Sequence, residues 1–178
     1  LLKLSVKDIL DFHMIQQEYL GAAYRNDLHA ASEAMGATPS YDGLQAFIYW
    51  LISRGKEVFI NAVNDPDTLA DVPKAGEKIE FRSFGFAAYT AYSMKMDRID
   101  PENMSDIYSA LNSLDYDGLA PETWEAIHSE LPTRPDITTP YSLDTIRCLF
   151  PNIYQKNADR LKNTGLYKEQ VDKLLASE

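Results

Sequence analysis

The stretch "LQAFIYWLISRGKEVFINAV", residues 44–63, decides how this chain is read. Leu44, Phe47, Ile48, Leu51 and Ile52 recur at spacings of three and four, the period at which one face of an α-helix meets a core. Gly55 interrupts the run, after which Val58, Phe59, Ala62 and Val63 resume it. The pattern predicts two consecutive helices with a bend near Gly55, where glycine tolerates the left-handed backbone that ends a helix. Just upstream, "GATPSYDG" (36–43) gathers Gly, Pro, Ser and Asp, so it reads as a loop leading into the first helix with Ser40 or Asp42 available as a cap. Downstream, "NDPDTLAD" (64–71) holds three aspartates but lacks the alternation, glycine and terminal glutamate of a calcium loop. Asp65 before Pro66 is a turn former, and Asp67 is predicted to cap a short helix beginning at Thr68, Leu69 and Ala70.

Moving outward, the same helical period continues in both directions. "LSVKDILDFHMIQQEYLGAAY" (4–24) is amphipathic, with Ser5 and Asp8 in the spacing of a capping box. "NDLHAASEAM" (26–35) is a short Ala-rich helix with Asn26 or Asp27 as cap and Gly36 as stop. "FRSFGFAAYTAYSMKM" (81–96) reads as one helix carrying Phe81, Phe84, Ala88, Tyr89, Tyr92 and Met96, and Gly85 inside it marks a place where a packed neighbour approaches the backbone. "NMSDIYSALNSL" and "PETWEAIHSEL" follow as helices, the second with Pro121 at its first position. Three prolines in "LPTRPDITTPYS" make a poorly helical connection of about a dozen residues. "LDTIRCLFPNIYQKNADRLKN" and "LYKEQVDKLLASE" close the chain as helices separated by Gly165. Repeats and strand alternation are missing, so the expected fold is all-α, a single compact domain of about seven to nine helices.

A chain of 178 residues is long enough to bury about 70% of the surface its unfolded form exposes. Its 45% hydrophobic and 25% charged residues are ordinary for a globular domain. The formal net charge is −10, from 27 acidic against 17 basic residues, which disfavours direct nucleic-acid binding because phosphate recognition needs clustered Lys and Arg. Cys148 is the lone cysteine, so no intrachain disulfide forms and a reducing, cytoplasmic setting is expected. Apolar runs such as "FIYWLI" are far shorter than the ~20 residues of a membrane span, so no membrane partner is expected. Residue 1 is Leu rather than Met, so the numbering is consistent with a start inside a longer chain.

Motifs that carry chemistry are scarce. His13, His29 and His128 form no ligand pair at metal-binding spacing. Cys148 lies in the apolar "IRCLF" and is expected to be a buried packing thiol. "SRGK" lacks the first glycine and the final hydroxyl of a phosphate loop. No cofactor or catalytic residue is therefore assigned. Trp50 and Arg54, four apart, share a helix face on which the guanidinium can stack over the indole, a contact worth roughly 0.5–1 kcal/mol when exposed.

With those residues in view, the chain resembles a bacterial domain-of-unknown-function family, number 4240. The resemblance is carried by "DLHAA", "GATPSYDGL", "FIYWLISRGKEVFINAV" and "DPDTLAD" over residues 27–71, and reaches through "FGFAAYTAY" to "RCLFPNIYQKN". It implies a helical domain over 1–157 with 158–178 as a C-terminal helical extension, and it implies no activity. The family's polar turn survives only as Ser40, Tyr41 and Asp42, and Ile48 stands where that pattern has Arg. Two functions follow as expectations. One is a protein-interaction module with an acidic surface and a protein partner. The other is a small-molecule binder or enzyme with a pocket near the Ser40–Gly43 loop, using Asp42 and Arg54 with His29 or Tyr89. The contact residues expected for ligand or partner are Asp42, Trp50, Arg54 and Tyr89.

Overall fold

The computed structural model describes residues 1–97, 104–113, 116–131, 136 and 142–163. Every regular element among them is helical. In chain order they are α1 (Val6–Ala23), α2 (Asn26–Met35), α3 (Tyr41–Ser53), α4 (Lys56–Asn64), a 3-10 turn (Pro66–Asp71), α5 (Arg82–Gly85), α6 (Ala87–Lys95), α7 (Met104–Leu111), α8 (Pro121–Glu130), α9 (Leu143–Leu149) and α10 (Pro151–Asn163). None of these helices is long and apolar enough to cross a membrane. The fold is all-α, as the periodicity required.

Local chemistry sets most of the starts and stops. Ser5 and Asp8 close a reciprocal box at the head of α1: the Asp8 amide donates to Ser5 Oγ at 3.1 Å and the Ser5 amide to Asp8 Oδ2 at 3.1 Å. Ser40, rather than Asp42, caps α3 by accepting from the Gly43 amide at 3.0 Å. The bend between α3 and α4 falls on Gly55, whose φ of 92° suits a residue without a side chain.

Two long helices expected from the sequence are each broken. The 81–96 segment divides into α5 and α6 at Phe86, whose φ of −92° and ψ of 0° leave the regular helix for one residue. The 143–163 segment divides into α9 and α10 at Phe150, because the following Pro151 disfavours helical backbone in the residue before it. Pro151 instead opens α10, where its missing N–H costs nothing. These breaks and the four-residue α5 raise the count above nine, to ten α-helices and the 3-10 turn among the described residues.

Two further expectations are corrected. Asp67 does not cap its own turn. Asp65 does, accepting from the Asp67 amide at 3.1 Å, while the buried Asp67 carboxylate accepts from the Asn152 amide at 3.1 Å, the Asn152 side chain at 2.7 Å and the Ile153 amide at 2.9 Å. It thus caps α10 from the far side of the core. Cys148 is exposed rather than buried, because α9 turns Leu143 and Ile146 inward and leaves the thiol on its outer face. The helix expected at 166–178 and most of the proline-rich connection lie outside the described residues.

α3 is the hub. It buries Leu44, Ala46, Phe47, Ile48, Tyr49, Trp50 and Leu51, so it is covered on nearly every side, and it packs against α1, α2, α4 and α5. Around it lies the larger core, which α9 and α10 complete with Leu143, Ile146, Phe150, Ile153 and Leu161. Each large side chain there contributes about 1.5–3 kcal/mol by leaving water. A smaller core joins Ile9 and Leu10 of α1 to Ala88, Tyr89, Ala91 and Tyr92 of α6 and Ile107 of α7. α1 belongs to both cores, giving Leu20 and Ala23 to the larger one. Between its two apolar ends it buries the polar His13 and Gln16. The boundary expected at 157/158 falls within α10, where Arg160 reaches back to the Glu33 and Ala34 carbonyls.

Candidate functional site

The polar middle of α1 lies next to a cavity of about 160 Å³. α3 supplies one wall with Asp42, Gln45, Ala46 and Tyr49, which are spaced i, i+3, i+4 and i+7 and therefore share a helix face. α1 adds Gln17, α5 adds Arg82 and Gly85, and the helix break adds Phe86. Tyr89 of α6 and Tyr108 of α7 complete it. Both Phe86 and Tyr108 are 47% exposed, so they form an aromatic rim.

The floor is held in place by close packing. A Cβ added at Gly85 would come under 3.0 Å from the Tyr49 ring, so only glycine lets that ring lie against α5. Burial raises the pKa of the Tyr49 hydroxyl, and the nearby Gln17 side chain offsets part of that rise. Tyr89 donates to the Tyr108 hydroxyl at 3.3 Å. Burial, then that hydrogen bond, pushes the Tyr89 hydroxyl well above the ordinary tyrosine range, so it is a proton holder at neutral pH and a poor base.

Behind the tyrosines sits His13. Its ring meets Tyr89 edge-on at 5.0 Å and Tyr108 at 6.1 Å between centroids. Its Nδ1 is buried with no hydrogen-bond partner among the described residues, and burial lowers its pKa, so the ring is neutral. Gln16 Nε2 ties α1 to the Phe84 carbonyl at 3.0 Å.

Two charges line the cavity, Asp42 and Arg82. Both are exposed and neither is in a close ion pair with a described residue, though the Arg82 charge helps hold the Glu80 carboxyl below its usual range. By contrast, Lys7 is paired with Asp11, Arg54 with Glu77 and Lys56 with Glu130.

Of the contact residues expected from the sequence, Asp42 and Tyr89 share this cavity and Trp50 and Arg54 do not. Trp50 is 1% exposed and belongs to the larger core. The Arg54 guanidinium carbon lies 5.4 Å from the Trp50 ring centroid, so the stacked pair does form. Glu77 Oε1 accepts from Trp50 Nε1 at 3.0 Å and from Arg54 at 2.9 Å. The indole bond first, then the Lys74 amide, hold the Glu77 carboxyl below the usual range. This cluster pins the 72–81 loop to α3. His29 Nε2 lies 3.1 Å from Glu33 Oε1 and is likewise outside the cavity lining.

Sequence reasoning missed Tyr49, Gln45 and Gln17, although the four-residue set on the α3 face was there to be read. It also missed Arg82, Phe86 and Tyr108, which only the fold brings alongside. Among the described residues no group of three or more His, Cys, Asp or Glu side chains is placed to hold a metal.

Comparison with curated proteins and with solved structures gave no match. A family match covers residues 1–94, more than half of the chain, and includes every lining residue named above except Tyr108. That family is described as "Protein of unknown function (DUF4240)", and the chain belongs to it.

Proposed function

We propose that this domain binds a small polar molecule in the cavity between α1, α3, α5, α6 and α7. The observation that carries the reading is convergence: five elements bring two amides, three tyrosine hydroxyls and two opposite charges to one concave site with aromatic walls. Titratable groups shifted by burial in a concave site add support, because such groups cluster at functional sites. Binding is favoured over catalysis because the Tyr89 hydroxyl holds its proton tightly and His13 is packed behind the tyrosine rings.

The protein-interaction reading has one specific support. Phe86 and Tyr108 are exposed at the cavity mouth, where they suit a partner that inserts a side chain or chain end. The excess of acid supports it less, since Asp11, Glu18, Glu77 and Glu130 each face a basic side chain on a different part of the surface.

The test is a thermal-shift screen of the purified chain against a panel of small polar metabolites, with Gln45→Trp as the blocked control. Gln45 lines the cavity and is half-buried, so a larger side chain fills the opening without entering either core. A ligand at a hundred times its Kd raises Tm by roughly 5–10 °C in a chain of this size, and the variant removes the shift. No shift across the panel overturns the reading.

A further inference from the structure

We infer that the cavity takes a small zwitterion carrying an alkylated ammonium group and a carboxylate, with the ammonium against the tyrosine faces and Asp42 and the carboxylate on Arg82. This rests on the reading of the cavity as a ligand site.

The first ground is charge. Asp42 and Arg82 line one cavity, are opposite in sign and form no close ion pair with a described residue, Arg82 acting on Glu80 only as a neighbouring charge, whereas Lys7, Arg54 and Lys56 are all in close pairs. A simple cation would satisfy Asp42 and be repelled by Arg82. A simple anion would do the reverse. A molecule with both charges satisfies both at once, and guanidinium is the better partner for a planar carboxylate.

The second ground is the wall. The Phe86 and Tyr89 rings are 6.1 Å apart and tilted by 49°, and the Tyr89 and Tyr108 rings are 6.2 Å apart and tilted by 57°. Rings set at angles around a common space present several π-faces to one cation, which is the arrangement that holds alkylammonium groups. Alkyl groups on the ammonium bring apolar surface against these rings while the positive charge keeps its attraction to their faces. Size agrees, because a cavity of about 150 Å³ holds a benzene-sized molecule and this one is about 160 Å³.

The experiment is isothermal titration calorimetry of the full chain with three probes. Glycine betaine carries both groups. 3,3-Dimethylbutanoate keeps the shape and carboxylate with carbon in place of the charged nitrogen. Choline keeps the ammonium and lacks the carboxylate. Glycine betaine should bind at least about tenfold more tightly than 3,3-dimethylbutanoate. Asp42→Asn should weaken glycine betaine by about tenfold, and Arg82→Gln should weaken it similarly while strengthening choline, which then meets no like charge in the cavity. Both substitutions are at exposed positions, so folding is preserved. The inference is overturned if glycine betaine does not bind, if 3,3-dimethylbutanoate binds as tightly, or if both variants bind like the parent chain. Should glycine betaine fail while another panel member binds the parent chain and not Gln45→Trp, the ligand class alone is wrong. Should nothing bind, the cavity reading falls with it.

Discussion

Asp67 is the residue whose removal should be felt furthest away. Its carboxylate accepts from three donors at the head of α10, the Asn152 amide and side chain and the Ile153 amide, from a buried site 6% exposed. Asp67→Ala leaves the Asn152 and Ile153 amides without their acceptor and should cost about 2–4 kcal/mol, with Asp67→Asn milder because one oxygen remains. Urea unfolding of the two variants gives the order. Gly85 acts by what it lacks: Gly85→Ala should destabilise by about 1–3 kcal/mol, since Tyr49 must move. In a double-mutant cycle with Tyr49→Ala most of that penalty should vanish, and additive penalties would show that the clash is elsewhere. His13 sets a pH dependence. Burial lowers its folded-state pKa below the ordinary value of 6.5, so the unfolded chain binds the extra proton first. That contribution to stability is complete above about 6.5 and is lost as pH falls through the lower, folded value. Melting temperature followed from pH 7.5 downward should therefore fall less steeply in His13→Phe than in the parent chain.

At the scale of elements, helices differ in where their caps come from. α1 and α3 are capped by serines three residues from the amide they serve, Ser5 for Asp8 and Ser40 for Gly43, which is why both starts could be read along the chain. α2 and α10 are capped from afar: Asp136 accepts from the Asn26 amide at 2.9 Å, and Asp67 serves α10. No local pattern announces such a cap, so Asp67 was assigned to its own turn. The break before Pro151 was legible in principle, but apolar residues on both sides kept the helical period and hid it. Gly85 was read correctly as a close approach, though the ring that makes it, Tyr49, is 36 positions upstream. The cavity followed the same division. Asp42 and Tyr89 stood out as polar or aromatic residues in helical runs, whereas Arg82 and Tyr108 gain meaning only beside them. Unequal burial among helices should also show in their dynamics. α8 buries only Ile127, whereas α3 buries eight residues. Amide hydrogen exchange should accordingly be faster in α8 by local opening, while α3 exchanges only with global unfolding. Equal protection of the two helices would show that α8 is held by contacts other than its own buried face.

Taken whole, the molecule is two cores sharing α1, with the cavity beside the polar seam where His13 and Gln16 separate them. The family match ends at residue 94, yet the larger core is closed by α9 and α10, which come from residues 143–163. The apolar faces of α2 and of the 3-10 turn are covered by α10, the last described helix. During synthesis those faces are made long before their cover. At about 5–20 residues per second, a ribosome needs roughly 5–18 s to pass from the end of the 3-10 turn to the end of α10. For those seconds the nascent chain carries an open apolar groove with a carboxylate at its edge, and a holding chaperone and the protein's own α10 compete for the same surface.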